Sequence, residues 1–220
     1  MSWLGLNSYR ERQRECYTKS TMAQRMKAHA IRHSLFIALL FQIAWITSGV
    51  LCALSGMDVR WGLLIANLFT LWVPALFILL THSTLSVKFQ VGFAVFITTS
   101  SLIGSALGGY GLIPNWDTLV HVYSGILLAW FGFIVANKVE LSIKKELPLW
   151  FKNAVALMTP LAFAAVWEMY EYTSDTLWGT AMQAGGLEDT IVDMQAALVG
   201  AVIALVVSSI WFLKRRRLIS

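Results

Sequence analysis

Six long apolar runs dominate this sequence, at residues 34–54, 62–81, 90–109, 117–137, 153–173 and 190–213. A helix needs roughly 20 mostly apolar residues to cross the hydrocarbon core of a bilayer, and each run is long enough. Because lipid offers no hydrogen-bonding partners, a crossing segment must satisfy its own backbone, as a helix does. The runs therefore predict an all-α, polytopic membrane protein with six transmembrane helices.

The composition agrees with a membrane location. Of the 220 residues, 57% are apolar and 13% are charged, whereas soluble domains are near half apolar and about a quarter charged. One small soluble core could not cover so much apolar surface, which excludes a soluble enzyme and a disordered chain. The two cysteines, Cys16 and Cys52, are too few for a disulfide framework or a zinc ligand set.

The basic residues indicate the orientation of the chain. If both termini are cytoplasmic, all of the 17 Lys and Arg residues except Arg60 fall on the cytoplasmic side, as the positive-inside rule requires. We therefore expect a bacterial inner-membrane protein with a basic tail at 1–33, a membrane domain at 34–213 and a second basic tail at 214–220. Basic residues placed beside apolar spans favour membrane lipid as a partner, not nucleic acid, and the sequence identifies no protein partner.

Three pairs of ionisable residues lie on the last three spans, and the spacing within each pair puts both members on one helix face. The pairs are Asp117 with His121, Glu168 with Glu171, and Asp189 with Asp193. Given a helical rise of about 1.5 Å per residue, one member of each pair reaches a similar depth below the outer boundary. Ionisable groups at that depth are costly unless they face one another, water or a cation. We therefore expect one shared polar site between residues 117 and 200, with Gly125 allowing a neighbouring helix to approach closely.

Carboxylates combined with one imidazole suit Mg²⁺, Mn²⁺, Ca²⁺ or Zn²⁺. The expected metal ligands are Asp117, His121, Glu168 and Asp193, and the expected catalytic carboxylates are Glu171 and Asp189. Haem would need a second histidine at this depth, whereas His82 lies near the opposite face. No glycine-rich phosphate loop precedes a helix, so we expect neither haem nor a nucleotide.

Two structural explanations compete with a catalytic or metal-binding role for the acidic residues at this end of the chain. Asp117 and Asp189 lie at helix starts, where acids commonly cap free amides and suit the positive helix end. The segment 174–188 is either a lid over the site or an exposed loop, in which Asp175 and Glu188 would be solvated acids.

The function predicted from the residues alone is that of a metal-dependent enzyme acting on a lipid or lipid-linked headgroup at the outer leaflet. Clustered carboxylates also occur in proton relays, so a proton- or cation-coupled transporter is the alternative. A third reading is a structural or partner-docking membrane protein, in which the polar cluster only locks the helices together.

The same residues resemble the YjdF-type family of bacterial inner-membrane proteins, over about residues 105–205. The matching motifs are Asp-x3-His-x3-Gly at Asp117, His121 and Gly125; Trp-Glu-x2-Glu at Trp167, Glu168 and Glu171; and Asp-x3-Asp-Met before a glycine at Asp189, Asp193, Met194 and Gly200. The resemblance implies a polytopic inner-membrane protein and no particular reaction. The chain is more distantly similar to VanZ-like proteins, which are linked to glycopeptide-antibiotic tolerance, and departs from their pattern at Thr118 and Ala197.

Overall fold

The computed structural model describes the backbone of residues 3–81, 84–183 and 185–217, and the side chains of 21–22, 24–81, 84–183 and 185–210. This part of the chain is helical and contains no β-strand. Six helices are long and apolar enough to cross a membrane: Gln24–Leu54, Trp61–Thr81, Val87–Ala106, Trp116–Ile143, Leu149–Trp178 and Leu187–Ile210. The predicted all-α polytopic fold with six spans is confirmed.

The first helix, α1, runs without a break from Trp3 to Leu54. The sequence predicts a tail at 1–33 and a span from residue 34, and the helix continues through that boundary. The physical reason is that the residues before 34 are polar yet rich in good helix formers such as Arg, Lys, Glu, Gln, Met and Ala. Hydropathy marks where lipid begins, not where the helix begins.

The second and third spans are irregular helices. The second consists of α2 (Trp61–Asn67), a 3₁₀ segment (Leu68–Trp72) and α3 (Val73–Thr81). Pro74 lies in the first turn of α3, where a missing backbone donor is tolerated. Gln42 of α1 donates to the Leu68 carbonyl oxygen at 3.0 Å. The third span begins as α4 (Val87–Ile97) and continues as a π-helix over Thr98–Ala106.

The helices form two units, Met1–Leu102 and Ile103–Ser220. In the first unit, α1 packs against α3, α4 and the 3₁₀ segment. Two hydrogen bonds connect α1 to the third span. Ser34 donates to Gln90 at 2.6 Å, and the Trp45 indole donates to the Thr98 hydroxyl at 2.9 Å. The single membrane domain expected at 34–213 stays a prediction, because apolar runs carry no information about which helices group together.

The second unit begins with the short helix α5 (Gly109–Leu112), followed by α6 (Trp116–Ile143), α7 (Leu149–Trp178) and α8 (Leu187–Arg217). The three long helices pack against one another. A Cβ atom on Gly125 of α6 would clash with the carbonyl oxygen of Ala197 in α8, and one on Gly200 would clash with the carbonyl oxygen of Val122. The expected close approach at Gly125 is therefore present, with α8 as the neighbour.

Glycine also sets the contact between α6 and α7. A Cβ atom on Gly132 would lie 2.7 Å from the Cα atom of Ala156, so α7 reaches the backbone of α6. More than two turns further along α6, Glu140 forms a 2.7 Å ion pair with Lys152 of α7 and accepts a hydrogen bond from the Leu147 amide at 2.8 Å. These contacts fasten the connection between the two helices.

Candidate metal centre

Three side chains of the second unit meet at one end of the helices. Asp117, His121 and Asp193 each offer one ligand atom, and these atoms lie within 4.8 Å of one another. His121 Nε2 is 3.5 Å from Asp117 Oδ1 and 3.6 Å from Asp193 Oδ2. Both distances exceed that of a good hydrogen bond, so the imidazole lies between two carboxylates without donating to either at close range.

The spacing of these atoms suits a small cation. Ligand atoms about 2.1 Å from a tetrahedral Zn²⁺ lie about 3.4 Å apart, close to the 3.5 Å and 3.6 Å observed. An octahedral ion such as Mn²⁺ or Mg²⁺ would need the ligands to move slightly closer together. The donor set and these two separations therefore suit a divalent cation, and the third pair of ligand atoms lies within 4.8 Å.

The sequence dictates this meeting through helix geometry. Asp117 and His121 are one turn apart at the start of α6, and Asp193 lies in the second turn of α8. One turn further along each helix, Gly125 and Ala197 are in backbone contact. The missing side chain at Gly125 thus brings α8 close enough for Asp193 to reach His121.

Glu168 of α7 is buried beside this group. Glu168 is only 4% exposed, and neither of its carboxylate oxygens has a hydrogen-bond partner in the structure. It lies near enough to His121, Glu171 and Asp193 to interact electrostatically with each of them. A buried carboxylate without a partner is costly, so this group needs a proton or a cation.

Glu168 is nevertheless outside the group of three ligand atoms that lie within 4.8 Å of one another. Its assignment as a fourth ligand stays a prediction. Within the described residues, no Lys or Arg forms an ion pair with Asp117, Glu168 or Asp193. In this part of the chain no permanently positive side chain therefore balances the negative charge of these carboxylates.

The two expected catalytic carboxylates have different surroundings. Glu171 is 8% exposed and accepts a hydrogen bond from the indole of Trp167, one turn earlier in α7, at 2.8 Å. Asp189 lies in the first turn of α8 and interacts electrostatically with Asp193. Asp117 likewise lies in the first turn of α6, so the favourable interaction with the helix dipole applies to both aspartates. Their catalytic or ligating roles stay predictions.

Tyr110 is a neighbour of the site that the sequence analysis misses. Its ring packs on Gly104, where a Cβ atom would lie 2.8 Å from the ring atom Cζ. Burial raises the pKa of the Tyr110 hydroxyl, and the nearby carboxylates of Asp117, Glu171 and Asp193 raise it further. The phenol therefore stays protonated and can donate a hydrogen bond to an anion. In the sequence it stands in a glycine-rich turn, which does not reveal where its ring points.

The segment 174–188 is shorter as a loop than expected, because α7 continues to Trp178 and α8 begins at Leu187. Asp175 bonds to three later residues of the loop. Its carboxylate accepts hydrogen bonds from the Thr180 hydroxyl at 2.5 Å and from the amides of Met182 and Gln183 at 2.8 Å and 2.9 Å. Asp175 is thus a structural residue of the connection. Whether the loop acts as a lid stays a prediction.

A family model described as "Predicted membrane protein (DUF2238)" matches residues 33–214. The chain belongs to this family. The matched region includes nearly all of the apolar segments and every residue of the candidate site. The membership agrees with the resemblance to YjdF-type membrane proteins, and the distant similarity to VanZ-like proteins stays a prediction.

One relative is an uncharacterised protein of Thermotoga maritima, which is 24% identical over 163 residues. The alignment covers 69% of this chain and 82% of the relative. No solved structure is significantly similar to the chain. The comparisons therefore establish a multi-pass membrane protein family and carry no information about a reaction.

Proposed function

We propose that this protein is a metal-dependent enzyme that acts on a lipid or lipid-linked headgroup, with Asp117, His121 and Asp193 holding the ion. One observation carries the proposal. Three ligand atoms spaced for a divalent cation lie beside Glu168, a buried carboxylate with no partner for either oxygen. A bound cation would balance the negative charge and make the burial of these side chains favourable.

The reaction class that this arrangement supports is hydrolysis of a phosphoryl or acyl group. When bound, the ion polarises the phosphoryl or carbonyl oxygen of the substrate and lowers the pKa of a neighbouring water. Glu168 takes the proton from that water, whose oxygen bonds to phosphorus or to the carbonyl carbon. The bond to the leaving oxygen breaks, and that oxygen takes up the proton from Glu168.

Hydrogen bonding favours Glu168 over Glu171 as the proton acceptor. Both oxygens of Glu168 lack a partner, whereas one oxygen of Glu171 is held by the Trp167 indole. Tyr110, a protonated phenol near the same carboxylates, would donate a hydrogen bond to the substrate headgroup.

The proposed orientation places the site at the outer leaflet, with both termini cytoplasmic. The distribution of Lys and Arg supports it, because Arg60 alone would face outward. An acidic site repels an anionic headgroup, so the bound cation would also serve to attach the substrate.

Metal binding is the first test of the proposal. Protein purified in neutral detergent is loaded with Mn²⁺, and bound Mn²⁺ is measured by electron paramagnetic resonance. Wild-type protein should bind one ion, and His121→Ala and Asp193→Asn should each lose it. The matched control is Asp58→Asn, which removes an exposed acid outside the site. Equal binding by all four proteins, or no binding by any of them, would overturn the proposal.

The role of Glu168 is separable from ion binding. Glu168→Gln keeps the size of the side chain and removes its ability to accept a proton. It should bind Mn²⁺ like wild type while releasing neither headgroup nor fatty acid from vesicles of phosphatidylglycerol and phosphatidylethanolamine. Loss of Mn²⁺ binding in this variant would instead make Glu168 a ligand, as the sequence analysis expects.

Orientation is tested by cysteine labelling in intact cells. In a variant with serine at both native cysteines, exposed serines at the two opposite ends of the spans are changed singly, as Ser55→Cys and Ser142→Cys. An impermeant maleimide should label the first from outside and reach the second only after the cells are broken. The reverse pattern would place the acidic site at the cytoplasmic face.

A proton- or cation-coupled transporter is the second candidate function, and the burial of Glu168 without a partner also favours it. Such a carboxylate binds and releases a proton when access changes. Proton flux into proteoliposomes that disappears with Glu168→Gln, together with no Mn²⁺ binding, would favour transport over hydrolysis.

A further inference from the structure

A cleft lies in the first unit and is lined by residues of that unit alone. Its volume is about 500 Å³, and it lies between α1 and the start of α4. Three basic or ionisable side chains of α1 line it, namely Arg25, His29 and His33. Their spacing of four residues puts them on one face of the helix, and the rings of the two histidines meet edge to face with centroids 4.3 Å apart.

The opposite wall of the cleft is the beginning of a helix. Ser86 caps α4, accepting a hydrogen bond from the Phe89 amide at 3.2 Å, and both Ser86 and Val87 line the cleft. The start of a helix carries a partial positive charge. The described residues that line the cleft include no acid, so every charged or polarised group around it favours an anion.

The position of the cleft indicates that this anion is part of a lipid. The residues of α1 and α4 that line the cleft lie just before or at the start of the apolar runs of these helices, which begin at residues 34 and 90, so the cleft lies where the two spans leave the hydrocarbon. Headgroups occupy that level. The remaining wall is largely apolar, with Met26, Ala30 and Leu85. It would contact the part of an acyl chain nearest the headgroup.

The cleft is also built from fixed elements. Directly below it, the buried Ser34 hydroxyl donates to Gln90 at 2.6 Å, and the Gln90 amide donates to the Leu85 carbonyl oxygen at 2.9 Å. Ser34 and Gln90 are 3% and 2% exposed. These bonds connect the two walls, so the basic side chains and the helix start are held opposite each other.

We propose that this cleft binds the phosphate group of an anionic membrane lipid. Arg25 would contact the phosphate oxygens through its guanidinium, the geometry that arginine commonly uses for phosphate. His29, His33 and the first amides of α4 would supply further donors. The site is independent of the proposed metal centre, since it uses other residues in the other unit.

The test is calorimetric titration of the full chain, purified in neutral detergent, with three probes. The probes are dioctanoyl phosphatidylglycerol, dioctanoyl phosphatidylcholine and inorganic phosphate. Wild-type protein should bind phosphatidylglycerol at least about tenfold more tightly than either of the others. Arg25→Gln should weaken that binding by about tenfold or more, since a hydrogen bond to a charged group is worth that much.

The matched control is Arg32→Gln. Arg32 is exposed on the same helix and does not line the cleft, so this variant removes the same charge and should bind phosphatidylglycerol like wild type. Equal weakening by the two variants would show general adsorption of lipid to a basic helix and would overturn the proposal. Tight binding of inorganic phosphate would also overturn it, because the ligand would then not be a lipid. Circular dichroism of each variant reports whether the fold is kept.

Discussion

Gly125→Ala tests whether the crossing of α6 and α8 sets the geometry of the candidate site. The added methyl would lie 2.9 Å from the carbonyl carbon and 3.0 Å from the Cα of Ala197, and closer still to its carbonyl oxygen. Ordinary contact begins at 3.4 Å, so α8 must retreat by about half an ångström or more. The backbone of a packed helix cannot yield as a flexible side chain can.

The site lies one turn away and must follow this displacement. The separation of His121 Nε2 from Asp193 Oδ2 would increase from 3.6 Å to about 4 Å or more. We expect Mn²⁺ affinity to fall by about 10–100-fold, the usual effect of disturbing the support of a metal ligand. Overpacking should also lower the free energy of unfolding by about 1–3 kcal/mol. Electron paramagnetic resonance measures the first effect, and unfolding in increasing dodecyl sulfate measures the second.

Gly62→Ala is the matched control, because a Cβ atom at this helical glycine meets nothing within 4 Å. Alanine there should raise stability by about 0.5–1 kcal/mol and leave Mn²⁺ affinity unchanged. If Gly125→Ala unfolds like wild type, the close crossing is absent. If it loses stability yet keeps its Mn²⁺ affinity, the crossing does not position the ligands.

Three further predictions concern single contacts. Trp167→Phe removes the donor to buried Glu171 and should cost about 1–3 kcal/mol of unfolding free energy, whereas Trp178→Phe, at an exposed site, should cost little in the same dodecyl sulfate titration. Asp175→Asn should speed hydrogen exchange at the two loop amides that bind its carboxylate, measured by mass spectrometry, and unchanged exchange would mean that the carboxylate does not hold the loop. Burial raises the pKa of the Tyr110 hydroxyl, so the folded state favours its protonated form. The free energy of unfolding, measured in urea, should therefore fall as pH rises above about 10. In Tyr110→Phe this fall should be absent.

The spans could be predicted from the sequence because the bilayer imposes a length on every apolar helix. The first span shows the limit of this argument. Polar residues of α1 continue the helix well before residue 34, so the start of the apolar run does not mark the start of the helix. The 3₁₀ and π segments take part in tertiary hydrogen bonds, from Gln42 to Leu68 and from Trp45 to Thr98, and apolar periodicity does not report them.

The candidate site was predictable where helix spacing alone decides it. The four-residue spacing of Asp117 and His121 fixes their common face, and Gly125 marks the face on which another helix approaches. The relation between Glu168 and the three ligand atoms depends instead on the rotation of α7 and on side-chain rotamers. Tyr110 reaches the site through a fold of the chain between spans, for which the sequence carries no periodic signal.

The continuity of α1 has a mechanical consequence. A helix of 52 residues is about 78 Å long, and about 30 Å of it precedes Gln24. Because no hinge interrupts the helix between Trp3 and Leu54, a torque applied to the leading portion is transmitted to the buried portion as rotation about a common axis. A partner bound to the leading portion of α1 can therefore rotate the membrane-spanning portion of the same helix.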